Sequence, residues 1–440
     1  LVARGFQAKA GIDYKETFAP VAAATSIRLL LSIATLRKLF LASADFVAAF
    51  QNADLPNVIY FRPPPGLQSK KDEVWALQAA LYGLPNSPLL WAEALKNALL
   101  HFGFVQTNAD PCLFYQINDH AYTLVRVVVD DLIVAAKTKE QADKLISDIG
   151  RFYKVKNLGV PKYIIGIHIN YDRSRQSLHL NQQLYIENLV AKFGQSNAKS
   201  TRKPADCNVK LEKDMGSSAF DEAVYRSLIG SLIYATITRP DVAVIISQLS
   251  RYLACPQKAH WKAAIKVLRY LKTTKCKSLV YQPTEQPGKE LKVYTDSTWN
   301  SDKDTSRSRS GYAITFCNCL ISWKTKLQPM VTLSSTEAEY VALNESAKEG
   351  LWLRRLLSEL QYKQDPTPIM IDNQSTMCLV KHKMLKPRTK HIAMRYHWIR
   401  ELLADKEFEL LYISTDNNLA DLLTKVLGQS KASKLLCNLM

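Results

Sequence analysis

Apolar residues along this chain follow two different periods. Runs rich in β-branched and aromatic residues predict strands, and the clearest are Leu124–Ala136, Tyr163–Ile169, Leu291–Thr295 and Ile369–Ile371. The segment Glu337–Leu360 instead repeats its apolar positions at helical spacing. Because strand and helix patterns mix throughout the chain, the sequence predicts an α/β or α+β fold.

Polar stretches that contain proline or glycine interrupt these patterns. They cover 195–208 and 282–288, and a third break follows Lys425. The length of 440 residues suggests about three domains. The breaks are therefore interpreted as boundaries or linkers between them.

Charge changes this picture more than composition does. Lys and Arg number 58 against 40 Asp and Glu, and the net charge of +18 is typical of proteins that bind polyanions, either nucleic acid or an anionic membrane surface. Two stretches, 242–284 and 373–400, contain no acidic residue at all. One face of a predicted helix in the first carries Lys258, Lys262, Lys266 and Arg269. A solvated surface explains either stretch alone, but two of them favour contact with a phosphate backbone.

Adjacent carboxylates at Asp130 and Asp131 interrupt a run of β-branched residues. The pattern predicts a hairpin whose tight turn carries both aspartates. Like charges this close repel, and Mg²⁺ compensates them while also binding substrate phosphates. A merely polar hairpin turn is the alternative. Asp45, alone in another apolar run, would join the pair in a two-metal site for nucleotidyl transfer.

Four further acids accompany the predicted elements of the C-terminal third. They are Asp296 in a strand, Glu339 in the first turn of a helix, Asp372 at the end of a strand, and Asp421 at the start of a short helix. Each has a purely structural explanation, since Thr336 and Glu339, for example, would form a capping box. If all four converge on one sheet edge, they form a second two-metal site, for phosphodiester hydrolysis.

Some classes of protein are not expected. The apolar stretch 29–36 is too short to cross a bilayer, which takes about 20 apolar residues, and no secretion signal opens the chain. The 8 cysteines form neither a zinc pattern nor a disulfide framework, so we expect reduced thiols within the cell. The first residue, Leu1, suggests a piece of a longer protein.

These residues stand in an order that resembles the reverse transcriptase and RNase H region of copia-type LTR retrotransposon Pol polyproteins. The polymerase motifs are Leu1–Phe6, Gly11–Pro20, Asp45–Leu55, Leu81–Leu84 with Ser87, Pro88 and Trp91, Val128–Asp131, Leu158–Gly159 with Gly166–Ile167, and Thr238–Asp241. The RNase H motifs are Tyr294–Ser297 with Trp299, Ser310–Tyr312, Ser334–Tyr340, Asp372–Ser375, Lys390–Ile392 with Arg395–His397, Ile399–Glu401, and Ala420–Asp421 with Thr424–Lys425. The resemblance covers nearly the whole chain.

The resemblance implies a right-hand polymerase with fingers, palm and thumb, followed by an RNase H-like mixed-sheet domain. We accordingly expect fingers and palm in 1–175, a thumb or connecting region in 176–284, the RNase H-like domain in 285–428 and a tail in 429–440.

Roles for particular residues follow from the same resemblance. Asp45, Asp130 and Asp131 become polymerase metal ligands, and Phe50 becomes the aromatic gate against a 2′-hydroxyl. The RNase H metal ligands become Asp296, Glu339, Asp372 and Asp421. Each site would hold two Mg²⁺ or Mn²⁺ ions. Nucleic-acid contacts are expected at Lys258, Lys262, Lys266, Arg269, Lys386, Arg388, Lys390 and His391.

The implied substrates and partners are deoxynucleoside triphosphates, an RNA template, a DNA primer and an RNA–DNA hybrid. Other Pol products such as integrase are further partners, and no membrane is involved. The expected location is the cytoplasm, within the particle of the element, with passage into the nucleus.

Departures from the family pattern keep three hypotheses open. Val128 replaces the usual Tyr before the Asp pair, and Pro85 and Leu89 stand where the family often has basic residues. The first hypothesis is a bifunctional reverse transcriptase and RNase H. The second is a decayed element copy whose polymerase is weakened or absent, and which acts at most as RNase H or nucleic-acid-binding protein. The third is a non-enzymatic nucleic-acid-binding protein on a retained fold. The seven intact acids favour the first two.

Overall fold

The computed structural model describes residues 2–440 except 65, 68–69, 71, 120, 208, 285–289, 382–392 and 438. The chain divides into two compact units, which comprise residues 1–30 with 37–161 and residues 31–36 with 162–440. The four-part division expected from the sequence stays a prediction.

The first unit is built on an antiparallel sheet. Its strands are β1 (Phe40–Phe46), a separate pair β2 (Tyr60–Phe61) and β3 (Trp75–Ala76), then β4 (Val105–Gln106), β5 (Leu113–Ile117), β6 (Tyr122–Val128), β7 (Asp131–Ala136) and β8 (Val155–Gly159). The six-stranded sheet has the order β4–β5–β6–β7–β1–β8. Strands β6 and β7 confirm the hairpin predicted over Leu124–Ala136, and β1 lies beside β7.

Helices cover this sheet and complete its core. They are α2 (Ser87–His101) and α3 (Lys139–Ile149), and the first part of a further helix, α1 (Ala24–Leu36), also belongs to this unit. Trp91 of α2 and Leu145 of α3 are buried in one apolar cluster with Phe46 of β1 and Val134 of β7. Burial of this much apolar surface is the main stabilising contribution to the sheet. It therefore fixes the strand ends that carry the predicted polymerase acids.

The second unit begins with a small sheet and a helical bundle. The strands are β9 (Tyr163–Ile164), β10 (Ile167–Asp172), β11 (Ser177–Asn181) and β12 (Leu279–Tyr281), and the helices are α4 (Gln183–Lys192), α5 (Glu222–Ala235), α6 (Ala243–Leu249) and α7 (Lys258–Thr273). The single strand predicted over Tyr163–Ile169 is wrong, since the chain turns between β9 and β10. Ile165 and Gly166 both have positive φ angles, 48° and 69°, and this conformation breaks an extended strand.

A mixed sheet forms the remainder of the second unit. Its elements are β13 (Leu291–Thr298), β14 (Arg309–Phe316), β15 (Cys319–Leu327), α8 (Ser335–Glu359), β16 (Thr367–Ile371), α9 (Gln374–Lys381), α10 (Ala393–Ala404), β17 (Phe408–Tyr412) and α11 (Gln429–Leu436). The strand order is β15–β14–β13–β16–β17. Strands β13, β14 and β15 are antiparallel, whereas β16 and β17 run parallel to β13. The predicted α/β class and the mixed C-terminal sheet are confirmed.

Two expectations drawn from composition can be compared with the described residues. None of their helices is both long and apolar enough to pass through a bilayer. All of the cysteines are free thiols, and Cys112, Cys317 and Cys319 are buried.

Candidate active sites

The hairpin between β6 and β7 presents the first candidate site. Its two-residue turn is Val129–Asp130, and Asp131 is already the first residue of β7, paired with Val128. The sequence predicts that the turn carries both aspartates. This prediction is wrong for Asp131, because only Asp130 lies in the turn. Val129 has a φ of 53°, which is strained for a β-branched residue, and Trp91 Nε1 donates a 2.8 Å hydrogen bond to its carbonyl oxygen. The hydrogen bond from the buried indole thus stabilises the strained turn and fixes the position of Asp130.

Three acids are neighbours around this turn. Asp45 of β1 lies directly opposite Asp131 of β7 in the strand register. Burial, together with the charges of Asp45 and Asp130, raises the pKa of Asp131. Like charges opposite one another destabilise a sheet, so the arrangement calls for a compensating cation. Each acid can therefore serve as a cation ligand, although the three carboxylates lie farther apart than those of the second site.

Tyr82 is a contact that the predicted site residues do not include. Its hydroxyl donates a 2.8 Å hydrogen bond to Asp130 Oδ2, while Asp130 Oδ1 is buried and has no hydrogen-bond partner. Burial and the hydrogen bond to Asp130 raise the pKa of Tyr82 to about 12, so it remains a donor at neutral pH. A buried oxygen without a partner fits a cation ligand. The sequence offers a signal for Tyr82 as a site residue, because it lies within the polymerase motif Leu81–Leu84.

Phe50 lies close to the same group. It belongs to the 3₁₀-helix Ala49–Asn52, and its ring centroid is 4.3 Å from that of Tyr82. The Asn52 side chain donates to the carbonyl oxygens of Val47, Ala48 and Ala49, which ties the segment after β1 into a compact turn. The Phe50 side chain is buried in the core of the first unit. Packing alone therefore accounts for its position, and the gate function stays a prediction.

The mixed sheet presents the second candidate site. Asp296 lies in β13, Asp372 follows the last residue of the parallel neighbour β16, and Glu339 lies in α8, which packs on β13. One carboxylate oxygen from each lies within 4.8 Å of the others. In the part of the chain that the structure describes, this is the only group of three or more His, Cys, Asp or Glu ligands that are so close.

The start of α8 leaves Glu339 available for this cluster. The predicted capping box of Thr336 and Glu339 is wrong, because the N-cap of the helix is Ser334, two residues before Thr336. Ser334 Oγ accepts a 3.2 Å hydrogen bond from the Glu337 N–H, and Glu337 Oε2 accepts a 2.7 Å hydrogen bond from the Leu333 N–H. Ser334 therefore satisfies the orphan N–H of Glu337 at the helix start, and the Glu337 side chain binds the residue before the N-cap. Glu339 points elsewhere, into the sheet edge.

The surroundings of the cluster disfavour bare negative charge. Glu339 Oε1 accepts a 3.2 Å hydrogen bond from the Ser297 N–H, but its other oxygen is buried without a partner. Burial raises the pKa of Asp296 to about 7. Burial and the charges of Asp296 and Asp372 also raise the pKa of Glu339 well above its usual range. Oxygen ligands that converge and repel one another fit a hard divalent cation such as Mg²⁺ or Mn²⁺.

Asp421 does not join this cluster. It lies on the 3₁₀-helix Leu419–Leu423, which Asn418 anchors by donating a 2.9 Å hydrogen bond to the Thr295 carbonyl of β13. Lys425 Nζ lies 2.6 Å from Asp421 Oδ1, and Lys431 Nζ of α11 lies 2.5 Å from Asp421 Oδ2. Burial opposes ionisation of this carboxyl, but the two ammonium groups lower the pKa of Asp421. The predicted metal ligand is thus held by lysines, and the predicted tail contributes one of them.

We expect Gly311→Ala to displace the segment that carries Asp421. A Cβ at this position would meet Leu423 backbone carbon at 2.9 Å and Thr424 Cγ2 at 2.7 Å. Overpacking of this kind costs about 1–3 kcal/mol. The free energy of unfolding, from a denaturant titration, should fall by that amount. Unchanged stability would mean that β14 and this segment do not pack so closely.

The pKa of Asp296 predicts how metal-free stability depends on pH. The folded pKa of about 7 exceeds the unfolded value of about 3.9, so between these pH values only the folded chain keeps the proton. This contribution to stability is complete below the unfolded pKa and is lost as pH rises through 7. We expect Asp296→Asn, which cannot ionise, to raise Tm at pH 8 in chelator by roughly 3 °C or more, but to change it little at pH 4. Parallel melting curves across this range would contradict the assignment.

Only part of the predicted basic face of α7 is free to contact a nucleic acid. Lys258 and Lys262 on α7 are exposed. Lys266 instead lies 2.5 Å from Asp206 Oδ2, and Arg269 Nε donates a 2.8 Å hydrogen bond to the Gln195 side chain. The second predicted group, Lys386, Arg388, Lys390 and His391, lies outside the described residues.

Comparisons with known proteins identify the family. Residues 1–206 match the family described as "Reverse transcriptase (RNA-dependent DNA polymerase)". The "Retrovirus-related Pol polyprotein from transposon TNT 1-94" of Nicotiana tabacum is 38% identical over 98% of this chain and 33% of its own length. The "Putative transposon Ty5-1 protein" of Saccharomyces cerevisiae is 32% identical over 69% of this chain and 99% of its own length.

The chain belongs to the reverse transcriptase family of copia-type retrotransposon Pol polyproteins. This confirms the resemblance seen in the sequence motifs. The chain spans about a third of the length of the Nicotiana and Arabidopsis polyproteins that it matches. Among solved structures, a foamy viral protease-reverse transcriptase in complex with dsDNA shares 12% identity, with 87% of this chain and 70% of that chain covered and a TM-score of 0.49.

Proposed function

We propose that the chain is an RNA-directed DNA polymerase that also cleaves the RNA strand of RNA–DNA hybrids. The observation that carries the second activity is the cluster of the buried Asp296 and Glu339 with the half-buried Asp372, whose oxygens converge within 4.8 Å. The observation that supports the first is the family itself, together with Asp45, Asp130 and Asp131 at one sheet edge. The two activities correspond to the first of the hypotheses that the sequence leaves open.

In the polymerase site, Asp45, Asp130 and Asp131 would hold the divalent cations. A bound Mg²⁺ or Mn²⁺ supplies a lower pKa for the attacking 3′-hydroxyl and a counter-charge for the triphosphate. The chain itself orients the ligands. Tyr82 donates to one oxygen of Asp130 and leaves the other free, and Trp91 holds the strained turn. This division leaves one Asp130 oxygen for a cation and fixes its direction.

Phe50 would select deoxynucleotides, because a ring beneath the sugar leaves no room for a 2′-hydroxyl. We expect Phe50→Val to raise ribonucleotide incorporation relative to deoxynucleotide incorporation by roughly tenfold or more. Single-nucleotide extension with matched dNTP and rNTP measures this ratio. Phe46→Val, a substitution in the same core, is the control and should leave the ratio unchanged. An equal change in both variants would remove Phe50 from the gate.

In the hydrolytic site, Asp296, Glu339 and Asp372 would hold a cation next to the scissile phosphate. The Ser297 N–H fixes one oxygen of Glu339, and the Thr424 hydroxyl donates to Asp296. These contacts orient the carboxylates before substrate binds, which reduces the reorganisation needed during the reaction. Burial of Asp296 and Glu339 keeps water away from their inner oxygens.

The nucleic-acid partners belong to the same proposal. A net charge of +18 favours an RNA template, a DNA primer and their hybrid, gripped by phosphates and by A-form shape. The exposed Lys258 and Lys262 are the described members of the predicted contact set. Deoxynucleoside triphosphates are the substrates, other Pol products such as integrase are further partners, and the intracellular location is part of the proposal.

A primer-extension and hybrid-cleavage assay of the full chain with Mg²⁺ tests the proposed function. We expect extension of a DNA primer on an RNA template together with cleavage of the labelled RNA strand. Cleavage without extension would favour a decayed copy, whose polymerase is weakened by changes such as Val128. Hybrid binding without either reaction would favour a non-enzymatic nucleic-acid-binding protein.

A further inference from the structure

Two ammonium groups enclose the carboxylate of Asp421. Lys425 Nζ donates a 2.6 Å hydrogen bond to one oxygen, and Lys431 Nζ forms an ion pair with the other at 2.5 Å without hydrogen-bond geometry. Asp421 is 1% exposed, so both ion pairs are shielded from water on the carboxylate side. Lys425 Nζ also lies 3.5 Å from Asp296 Oδ2. It therefore stands between the fourth acid and the cluster of the other three.

The remaining acids have a different environment. Among the described residues, no Lys or Arg side chain forms an ion pair with Glu339 or Asp372, and one Glu339 oxygen is buried without any partner. The negative charge that still lacks compensation thus lies on the side of Glu339 and Asp372. The charge at Asp421 is already balanced. The electrostatic attraction for a cation is therefore strongest beside Glu339 and Asp372 and weakest beside Asp421.

The positions of the two lysines are set by the fold. Lys425 lies four residues after Asp421, just beyond the end of the 3₁₀-helix that carries Asp421. Asn418 anchors this helix to β13. Lys431 lies on α11, which is docked through the buried Leu435 and Leu436. A cation that took Asp421 as a ligand would have to separate both ion pairs and leave two ammonium groups beside itself. Two ammonium groups this close to the carboxylate would repel the cation, so the arrangement opposes such an exchange.

We propose that the hydrolytic site takes one divalent cation, at Asp296, Glu339 and Asp372, and that Lys425 and Lys431 supply the positive charge at Asp421. The expectation of two ions at this site, drawn from family resemblance, is thereby replaced by one ion and two ammonium groups. The inference rests on the cation site of the proposed function. It goes further by stating the number of ions and by making Asp421 a partner of lysines instead of a metal ligand.

Counting bound Mn²⁺ tests this inference. The full chain carries Asp45→Asn, Asp130→Asn and Asp131→Asn, so that the polymerase acids do not contribute. Free Mn²⁺ is measured by electron paramagnetic resonance during a titration, and the ions lost when Asp296, Glu339, Asp372 and Asp421 are all replaced by their amides define the hydrolytic site. We expect a difference of one ion per chain. In the Lys425→Met, Lys431→Met double variant, the buried Asp421 loses its partners and we expect two.

Two further variants control this count. Lys434→Met removes an exposed lysine from the same helix, α11, and should leave one ion. Asp421→Asn should also leave one ion, because Asp421 is not a ligand; this variant decides the matter if the double variant does not fold.

The outcomes are distinct. Two ions in the parent chain, or loss of the ion in Asp421→Asn, would overturn the inference while the proposed function stands. One ion in a folded double variant would show that the lysines do not exclude a second cation. No ion in the parent chain would overturn the proposed cation site and the inference with it.

Discussion

Asp130→Asn is expected to abolish primer extension, with a fall in kcat of about 10³-fold or more. The substitution keeps the size of the side chain and an oxygen that can accept from Tyr82, but it removes the negative charge from the strained turn. A carboxylate that holds a catalytic cation contributes several kcal/mol to the transition state, and ~4 kcal/mol corresponds to this loss. Steady-state incorporation of one deoxynucleotide on an RNA template measures it.

The control for this variant is Tyr82→Phe. It removes only the hydrogen bond to Asp130, so it should lower kcat by about tenfold, the effect of losing one orienting contact. Both variants should keep the stability of the parent chain. Extension by Asp130→Asn at the parent rate would remove Asp130 from the polymerase site, whatever the family resemblance implies.

Glu339→Gln is expected to abolish cleavage of the RNA strand while leaving primer extension intact. Glu339 presents a buried, unpartnered oxygen to the cluster, and the neutral amide cannot replace its charge. We expect cleavage of a 5′-labelled RNA in a hybrid to fall by about 10³-fold or more. Because Gln does not ionise, the metal-free chain should become more stable at neutral pH, as burial and the neighbouring acids no longer oppose a charge.

Glu337→Gln on the same helix is the matched control. Glu337 is also buried, but its side chain accepts from the Leu333 N–H and lies at the start of α8. Its replacement should cost about 1 kcal/mol of stability and leave cleavage near the parent rate. If both variants lost cleavage equally, damage to α8 would explain the result instead of loss of a ligand.

Much of the fold follows from local patterns. The β-branched run around Asp130 and Asp131 predicts the β6–β7 hairpin, because branched side chains pack well on a buried sheet. The helical spacing over Glu337–Leu360 predicts α8, which spans Ser335–Glu359. The exact residues of the turn are harder to predict from the sequence, because Val129 adopts a strained conformation. Only tertiary contacts such as the Trp91 hydrogen bond can hold it.

Local sequence patterns do not predict several features of the candidate sites that depend on tertiary contacts. Thr336 and Ser334 both satisfy the spacing of a capping box, and only the packing of α8 against β13 selects Ser334 and frees Glu339. The convergence of Asp296 with Asp372 depends on the parallel pairing of β13 and β16, which lie more than seventy residues apart in sequence. Lys431 cannot be linked to Asp421 by spacing at all, because the docking of α11 brings them together.

The basic residues show a similar limit. Helical spacing correctly places Lys258, Lys262, Lys266 and Arg269 along α7. It does not reveal that Asp206 and Gln195 approach the last two from distant parts of the chain. Spacing therefore predicts which basic residues share a helix face, but it does not predict which of them other side chains have already engaged.

The central claim is that one chain carries two separate acid sites for two reactions on nucleic acid. A single labelled RNA template with an annealed DNA primer reports extension and RNA cleavage in the same reaction, and the parent chain is compared with Asp130→Asn and Glu339→Gln. We expect the parent to perform both reactions, Asp130→Asn to keep only cleavage and Glu339→Gln to keep only extension. Loss of both activities in either folded variant, or of neither activity in both, would contradict it.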